Sequence, residues 1–203
     1  LYILGDLFEY WLGDDSPSEC SLTVASELAA LGKQGVNCFF QHGNRDFLLR
    51  DDYAELAGFT LLPEEHLVDL YGERVLLMHG DSLCTDDQEY QQFRAQVRDP
   101  VWQQGFLALS PQERLQVARQ ARDASTAHKG EMTMNIMDVN HDEVLKRLES
   151  HGVQRLIHGH THRPAVHDLT ANGQDAQRIV LGDWYTGGSV LRVTADGYDL
   201  AVI

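Results

Sequence analysis

The stretch RLIHGHTHRP, residues 155–164, sets the apolar pair Leu156-Ile157 in front of three histidines within five positions. A short apolar run that ends in glycine and polar residues reads as a buried β-strand whose chemistry lies at its C-terminal end. The same pattern occurs three times earlier, in LYILGD at 1–6, NCFFQHGN at 37–44 and RVLLMHGD at 74–81. Helical periodicity fills the intervals, over Ser18–Lys33, Asp46–Ala57, Asp87–Val97, Pro111 to about His128, and Val139–His151, with Asp and Ser near several N-termini. Such alternation predicts an α/β fold, a sheet covered by helices. The tail differs. AVHDL (165–169), QRIVLGD (177–183), SVLRVTA (189–195) and YDLAVI (198–203) are separated by Asn172-Gly173, Gly187-Gly188 and Asp196-Gly197, and read as antiparallel strands with turns.

Residues 86–138 interrupt this rhythm with helical pattern alone, which predicts a helical insertion within one domain spanning 1–203. Inside it, VWQQGFLAL (101–109) is unusually apolar and reads either as core or as a surface for something greasy.

The 203 residues, 43% apolar and 23% charged, suit a globular domain with a sizeable core. A net charge of −15 with only 16 Lys and Arg argues against a nucleic-acid partner, because neutralising phosphates takes clustered cations. Between Arg94 and Lys129, however, six basic residues stand against three acidic ones, a local excess that suits an anionic partner or a solvated helix face. Cys20, Cys38 and Cys84 lack metal-ligand spacing and are predicted to be reduced and mostly buried. No stretch approaches the roughly 18 apolar residues of a membrane span, nor does a basic segment lead into an apolar signal core, so the expected location is the cytoplasm.

In open α/β sheets, ligands bind beyond the carboxyl ends of the strands. Here those ends carry Asp6, Asn44, His79, His160 and His162. Carboxylate, amide oxygen and imidazole together suit borderline divalent ions such as Mn²⁺, Fe²⁺ or Zn²⁺. Singly, each residue has an ordinary role: Asp6 capping a turn, Asn44 holding a left-handed backbone, His79 as a satisfied polar group. Four strand ends reading Gly-Asp, Gly-Asn, His-Gly and Gly-His-x-His point together to a site. His160 and His162, two apart, are expected to face it by strand alternation, with His158 turned away in a supporting or core role.

The ordered segments GD (5–6), GNRD (43–46), HGD (79–81) and GHTH (159–162) resemble the signature of the calcineurin-like metallophosphoesterases. LYILGDLFEYWLGDD, HGNRDFLL, LLMHGDSLCTDD, IMDVN and LIHGHTHRPAVH resemble, more narrowly, the members of that superfamily that serve lipid A biosynthesis. The resemblance implies a sandwich of two mixed sheets flanked by helices with a helical insertion. It also implies hydrolysis of UDP-2,3-diacylglucosamine to UMP and 2,3-diacylglucosamine 1-phosphate, with two Mn²⁺ ions, at the cytoplasmic face of the inner membrane. Asp6 would bridge both ions, Asn44, His79 and His160 would complete one, and His162 would serve the other. Such a metal pair arms water and clamps phosphoryl oxygens.

Where the wider superfamily has Gly-Asn-His, this chain has Arg45 after Asn44. Arginine is a poor proton donor but a good bidentate phosphate ligand, and a departing phosphate with a second pKa near ~6 needs no general acid. Arg45 therefore favours a diphosphate substrate. Asp87, Tyr90, Arg122, Ser125 and Lys129 stand where the resemblance suggests contacts to sugar and nucleotide; Met132, at another such position, is chemically unsuited. The apolar group Trp102, Phe106, Leu107 and Leu109 would face acyl chains, and the basic excess would suit anionic lipid head groups. Relatives open with a strand ending in Asp-x-His that completes one metal site. No such segment precedes Leu1, so that site is expected to be incomplete and activity weak in a molecule that starts there. Two alternatives stay open: a metallophosphoesterase acting on soluble nucleotides or phosphoproteins, and a non-catalytic scaffold of the same fold.

Overall fold

The computed structural model describes residues 1–131, 138–185 and 187–203, the side chains of 124–131 excepted. The chain forms two compact units, Leu1–Leu62 with Asp87–Met137, and Pro63–Asp86 with Asp138–Ile203.

In the first unit, β1 (Tyr2–Leu4), β2 (Cys38–Gln41) and β3 (Phe59–Leu61) form a sheet in the order β1-β2-β3. Both pairings in this sheet are parallel. The cause is connectivity: α1 (Glu19–Lys33) and α2 (Asp51–Ala57) are crossover helices, and a crossover returns the chain in the same direction. Phe40, Leu49, Tyr53 and Ala57 are buried between sheet and helices, with the Trp11 ring 4.5 Å from that of Tyr53 and edge-on to it. The second helix starts at Asp51 rather than the predicted Asp46, because Asp46 is committed elsewhere. A distant residue supplies its cap: Asp14 accepts from the N–H groups of Arg50 (3.1 Å) and Tyr53 (2.9 Å).

Helices α3 (Gln88–Arg98), α4 (Pro100–Leu107) and α5 (Pro111–Glu131) belong to this same unit. The fourth was not anticipated, although Asp99 as N-cap followed by Pro100 at the first helical position was its signal. Phe106 enters the core, with Trp102, Leu107 and Val117 packed against it, whereas Val101 and Leu109 are exposed, so the apolar stretch is part core and part surface. Arg114, nearly fully buried, donates to the carbonyls of Leu12, Leu107 and Leu109 and pairs with Asp15 at 2.6 Å.

The second unit has a five-stranded mixed sheet in the order β4-β5-β6-β8-β7, built from β4 (His66–Leu70), β5 (Glu73–Met78), β6 (Arg155–His158), β7 (Ala165–Ala171) and β8 (Gln174–Val180). β5, β6 and β8 run parallel and the two outer pairings are antiparallel. Helix α6 (His141–His151) is capped by Asn140, which accepts from the Glu143 N–H, and closed by Gly152 at φ 62°. Its Val144 and Leu148 meet Leu76, Met78 and Leu156 in the core. β9 (Ser189–Thr194) and β10 (Gly197–Val202) form a separate hairpin, as the tail pattern predicted. Cys38 and Cys84 are buried free thiols; Cys20 is exposed.

Candidate active site

The candidate residues fall in two sets, one in each unit. In the first, Asp6 follows β1 and Asn44-Arg45 follow β2. The two loops meet so closely that a side chain on Gly43 would sit 2.1 Å from the Asp6 carboxylate. Only glycine permits this approach. Asp46 fastens the junction: fully buried, its carboxylate accepts from the N–H groups of Leu7 (2.7 Å), Gly43 (2.8 Å) and Asp6 (3.3 Å). Arg45 faces Asp6 directly, its N–H donating to Oδ1 at 3.0 Å and its Nε lying 3.3 Å from Oδ2. The guanidinium also reaches Glu9 at 3.0 Å, and Glu9 pairs in turn with Arg122 of α5.

In the second unit, His79 follows β5 and is buried; its carbonyl accepts from the Gly159 N–H at 2.9 Å, tying the end of β5 to the end of β6. The His79 and His160 rings lie 5.1 Å apart. These two strand-end histidines are thus brought together, though not through strand alternation. β6 stops at His158, the Thr161 N–H bonds to the Gly159 carbonyl, and His160 and His162 take left-handed backbones at φ 62° and 56°. A tight turn, not a pleat, aims them. Asp6 is left-handed too, at φ 55°. Three of the five described non-glycine residues with positive φ are therefore candidate ligands, and strained backbone of this kind concentrates at functional sites.

His162 Nδ1 lies 3.5 Å from Asp183 Oδ2, and its ring is 6.2 Å from that of Tyr185. His158 is fully buried beneath Gly80; burial pushes its pKa down to about 3, against a weaker opposing hydrogen bond with the Gly159 carbonyl. Asp138 is held below the usual carboxylate range: burial acts to raise it, and the Val139 N–H, Arg178 and Arg163 together outweigh that.

Asp87 serves as the N-cap of α3, accepting from the Tyr90 N–H at 2.9 Å. Ser125, Lys129 and Met132 lie outside the described side chains. Sequence reading missed Asp46, Glu9, Asp14 and Asp183. For Asp183 a signal existed, since Leu-Gly-Asp at 181–183 repeats the ending of the first strand segment.

Comparison with known proteins places this geometry in context. The calcineurin-like phosphoesterase family matches residues 1–164. A protein named UDP-2,3-diacylglucosamine hydrolase from Escherichia coli O139:H28 is 54% identical over 200 residues, which cover 98% of this chain and 83% of that protein. The proteins of the same name from Shigella flexneri and Shigella sonnei match to the same extent. A solved structure of an archaeal phosphodiesterase aligns with 12% identity and a TM-score of 0.43, covering 87% of this chain and 74% of that one, a likeness too slight to decide anything. Matched over nearly its whole length, the chain belongs to the calcineurin-like phosphoesterases, a family of metal-dependent hydrolases, and within it is related to the UDP-2,3-diacylglucosamine hydrolases.

Proposed function

We propose that the chain hydrolyses the diphosphate of UDP-2,3-diacylglucosamine, giving UMP and 2,3-diacylglucosamine 1-phosphate for lipid A biosynthesis. The observation that carries the substrate is the 54% identity, over 98% of the chain, to proteins named for it.

Two Mn²⁺ ions are the proposed cofactor. Asp6, Asn44, His79 and His160 would hold one, and Asp6 with His162 would serve the other. The donors fit: one carboxylate, one amide oxygen and imidazoles form a borderline-ion set. Left-handed backbone at Asp6, His160 and His162 supports the assignment, because each such residue costs about 1–3 kcal/mol and persists where the surroundings enforce it. Asp183 beside His162 Nδ1 is the kind of carboxylate partner that orients a ligating imidazole toward metal through Nε2. When bound, such an ion pair lowers the pKa of water and neutralises charge on phosphoryl oxygens.

The remaining work falls to the chain's own groups. Arg45 binds phosphate oxygens as a permanent cation; it supplies no proton, and a phosphate leaving group needs none. Arg122 adds a second guanidinium. Asp87, Ser125 and Lys129 are assigned to the substrate's sugar and nucleotide, with Asp87 sharing its carboxylate with the Tyr90 N–H. No helix among the described residues is long and apolar enough to cross a membrane. The proposed location is peripheral, on the cytoplasmic face of the inner membrane, with exposed Val101 and Arg119 turned to lipid.

Hydrolysis in ¹⁸O-water followed by mass spectrometry tests the reaction. Label in UMP is the expected result. Label only in the lipid phosphate overturns the site of attack, and turnover of soluble nucleotides without turnover of UDP-2,3-diacylglucosamine overturns the substrate.

A further inference from the structure

Glu9 lies between two arginines of its own unit. Its Oε1 accepts from Arg45 Nη1 at 3.0 Å, and its Oε2 pairs with Arg122 Nη1, which also donates to the Glu9 carbonyl at 3.4 Å. The two guanidiniums come from separate elements, the loop after β2 and helix α5. One carboxylate thus spans them.

Stability does not account for this bridge. The Glu9 and Arg122 side chains are 44% and 46% exposed, and exposed ion pairs contribute only about 0–1 kcal/mol. Its effect is geometric: two cations that would repel are held on the two oxygens of one carboxylate. So held, two guanidiniums can take oxygens of one phosphoryl group. A guanidinium carries five N–H donors, so the carboxylate at one end does not preclude phosphate at another.

We propose that Glu9 is a positioning residue, holding Arg45 and Arg122 as a pair that receives the substrate's diphosphate. The inference rests on the diphosphate reading given above. It adds to that reading the residue that keeps the two cations in register.

The test is steady-state kinetics of the full chain with Mn²⁺ and UDP-2,3-diacylglucosamine, with melting curves to verify folding. Glu9→Gln is expected to raise KM about tenfold while kcat changes less than about threefold, the mark of lost binding rather than lost chemistry. Because the two residues act as one unit, adding Glu9→Gln to Arg122→Ala is expected to cost nothing further. An unchanged KM, a multiplicative loss in the double variant, or a fall in KM, which would mean that Glu9 competes with phosphate, each overturns the proposal. Calorimetric binding of inorganic pyrophosphate gives a reading independent of the substrate assignment. Glu9→Gln is expected to weaken that binding about tenfold as well, about 1.4 kcal/mol. Equal binding by both proteins, or none by the unsubstituted chain, overturns the positioning role even where the substrate reading stands, whereas intact pyrophosphate behaviour without UDP-2,3-diacylglucosamine turnover sinks only the substrate.

Discussion

Replacing Gly43 by alanine puts a methyl group 2.1 Å from the Asp6 carboxylate and 2.3 Å from the Asp6 nitrogen. Overpacking of this kind costs about 1–3 kcal/mol, and here the group that must move is a candidate metal ligand. Gly43→Ala is therefore expected to lower both the melting temperature and Mn²⁺ affinity, as read by calorimetry. His158 gives the pH dependence. Its folded pKa, depressed to about 3 from an ordinary 6.5, means that the unfolded chain takes up a proton first as pH falls. The stability contributed by its neutral burial is complete above 6.5 and is lost progressively from 6.5 toward about 3. In metal-free protein, urea unfolding should show a stability that declines from pH 7 to pH 5, and His158→Gln should flatten that slope. The candidate ligands themselves were legible, because strand ends reading Gly-Asp or Gly-His carry their chemistry in a fixed local pattern. Asp46 was not: an aspartate ahead of a helical segment looks like a cap, and only the meeting of two distant loops shows what its carboxylate binds.

Among the elements, Arg114 is the pin that fastens the α4–α5 connection to the loop of residues 12–15. Arg114→Met leaves the carbonyls of Leu12, Leu107 and Leu109 without that donor, for an expected loss of about 2–3 kcal/mol in urea unfolding. Asp15→Asn should cost less than about 1 kcal/mol, because its side chain is 59% exposed and water replaces the partner. A reversed order of the two effects would show that the charge pair, not the carbonyl anchoring, holds the connection. The long helices were legible from periodicity and from Ser or Asp near their N-termini. The start of α2 was not, since its cap comes from Asp14, far away in sequence. Short β3 and β4 also escaped notice; the turn before β5 uses Tyr71-Gly72, both with positive φ, where asparagine-glycine is the recognisable sign.

For the whole molecule, a net charge of −15 and a proposed site of carboxylate and imidazole donors make divalent cations stabilising ligands. Chelation is expected to lower the melting temperature and Mn²⁺ to restore it, by about 2.7 kcal/mol per site at a hundredfold excess over Kd. Mg²⁺ should restore less, because imidazole donors favour borderline ions. Identical melting with and without chelator would remove the metal centre from the reading. At this scale the α/β class and the antiparallel tail could be read from the pattern of apolar runs. The pairing order could not: β8 joins β6 in parallel while β7, between them in sequence, takes the edge, a choice made by long-range packing that leaves no local trace.

The left-handed residues Asp6, His160 and His162 carry a warning for laboratory evolution. Glycine or asparagine tolerates that conformation with less steric penalty than histidine does. A heat-challenge selection blind to turnover would therefore drift toward better-behaved but inert descendants, trading away the imidazoles first.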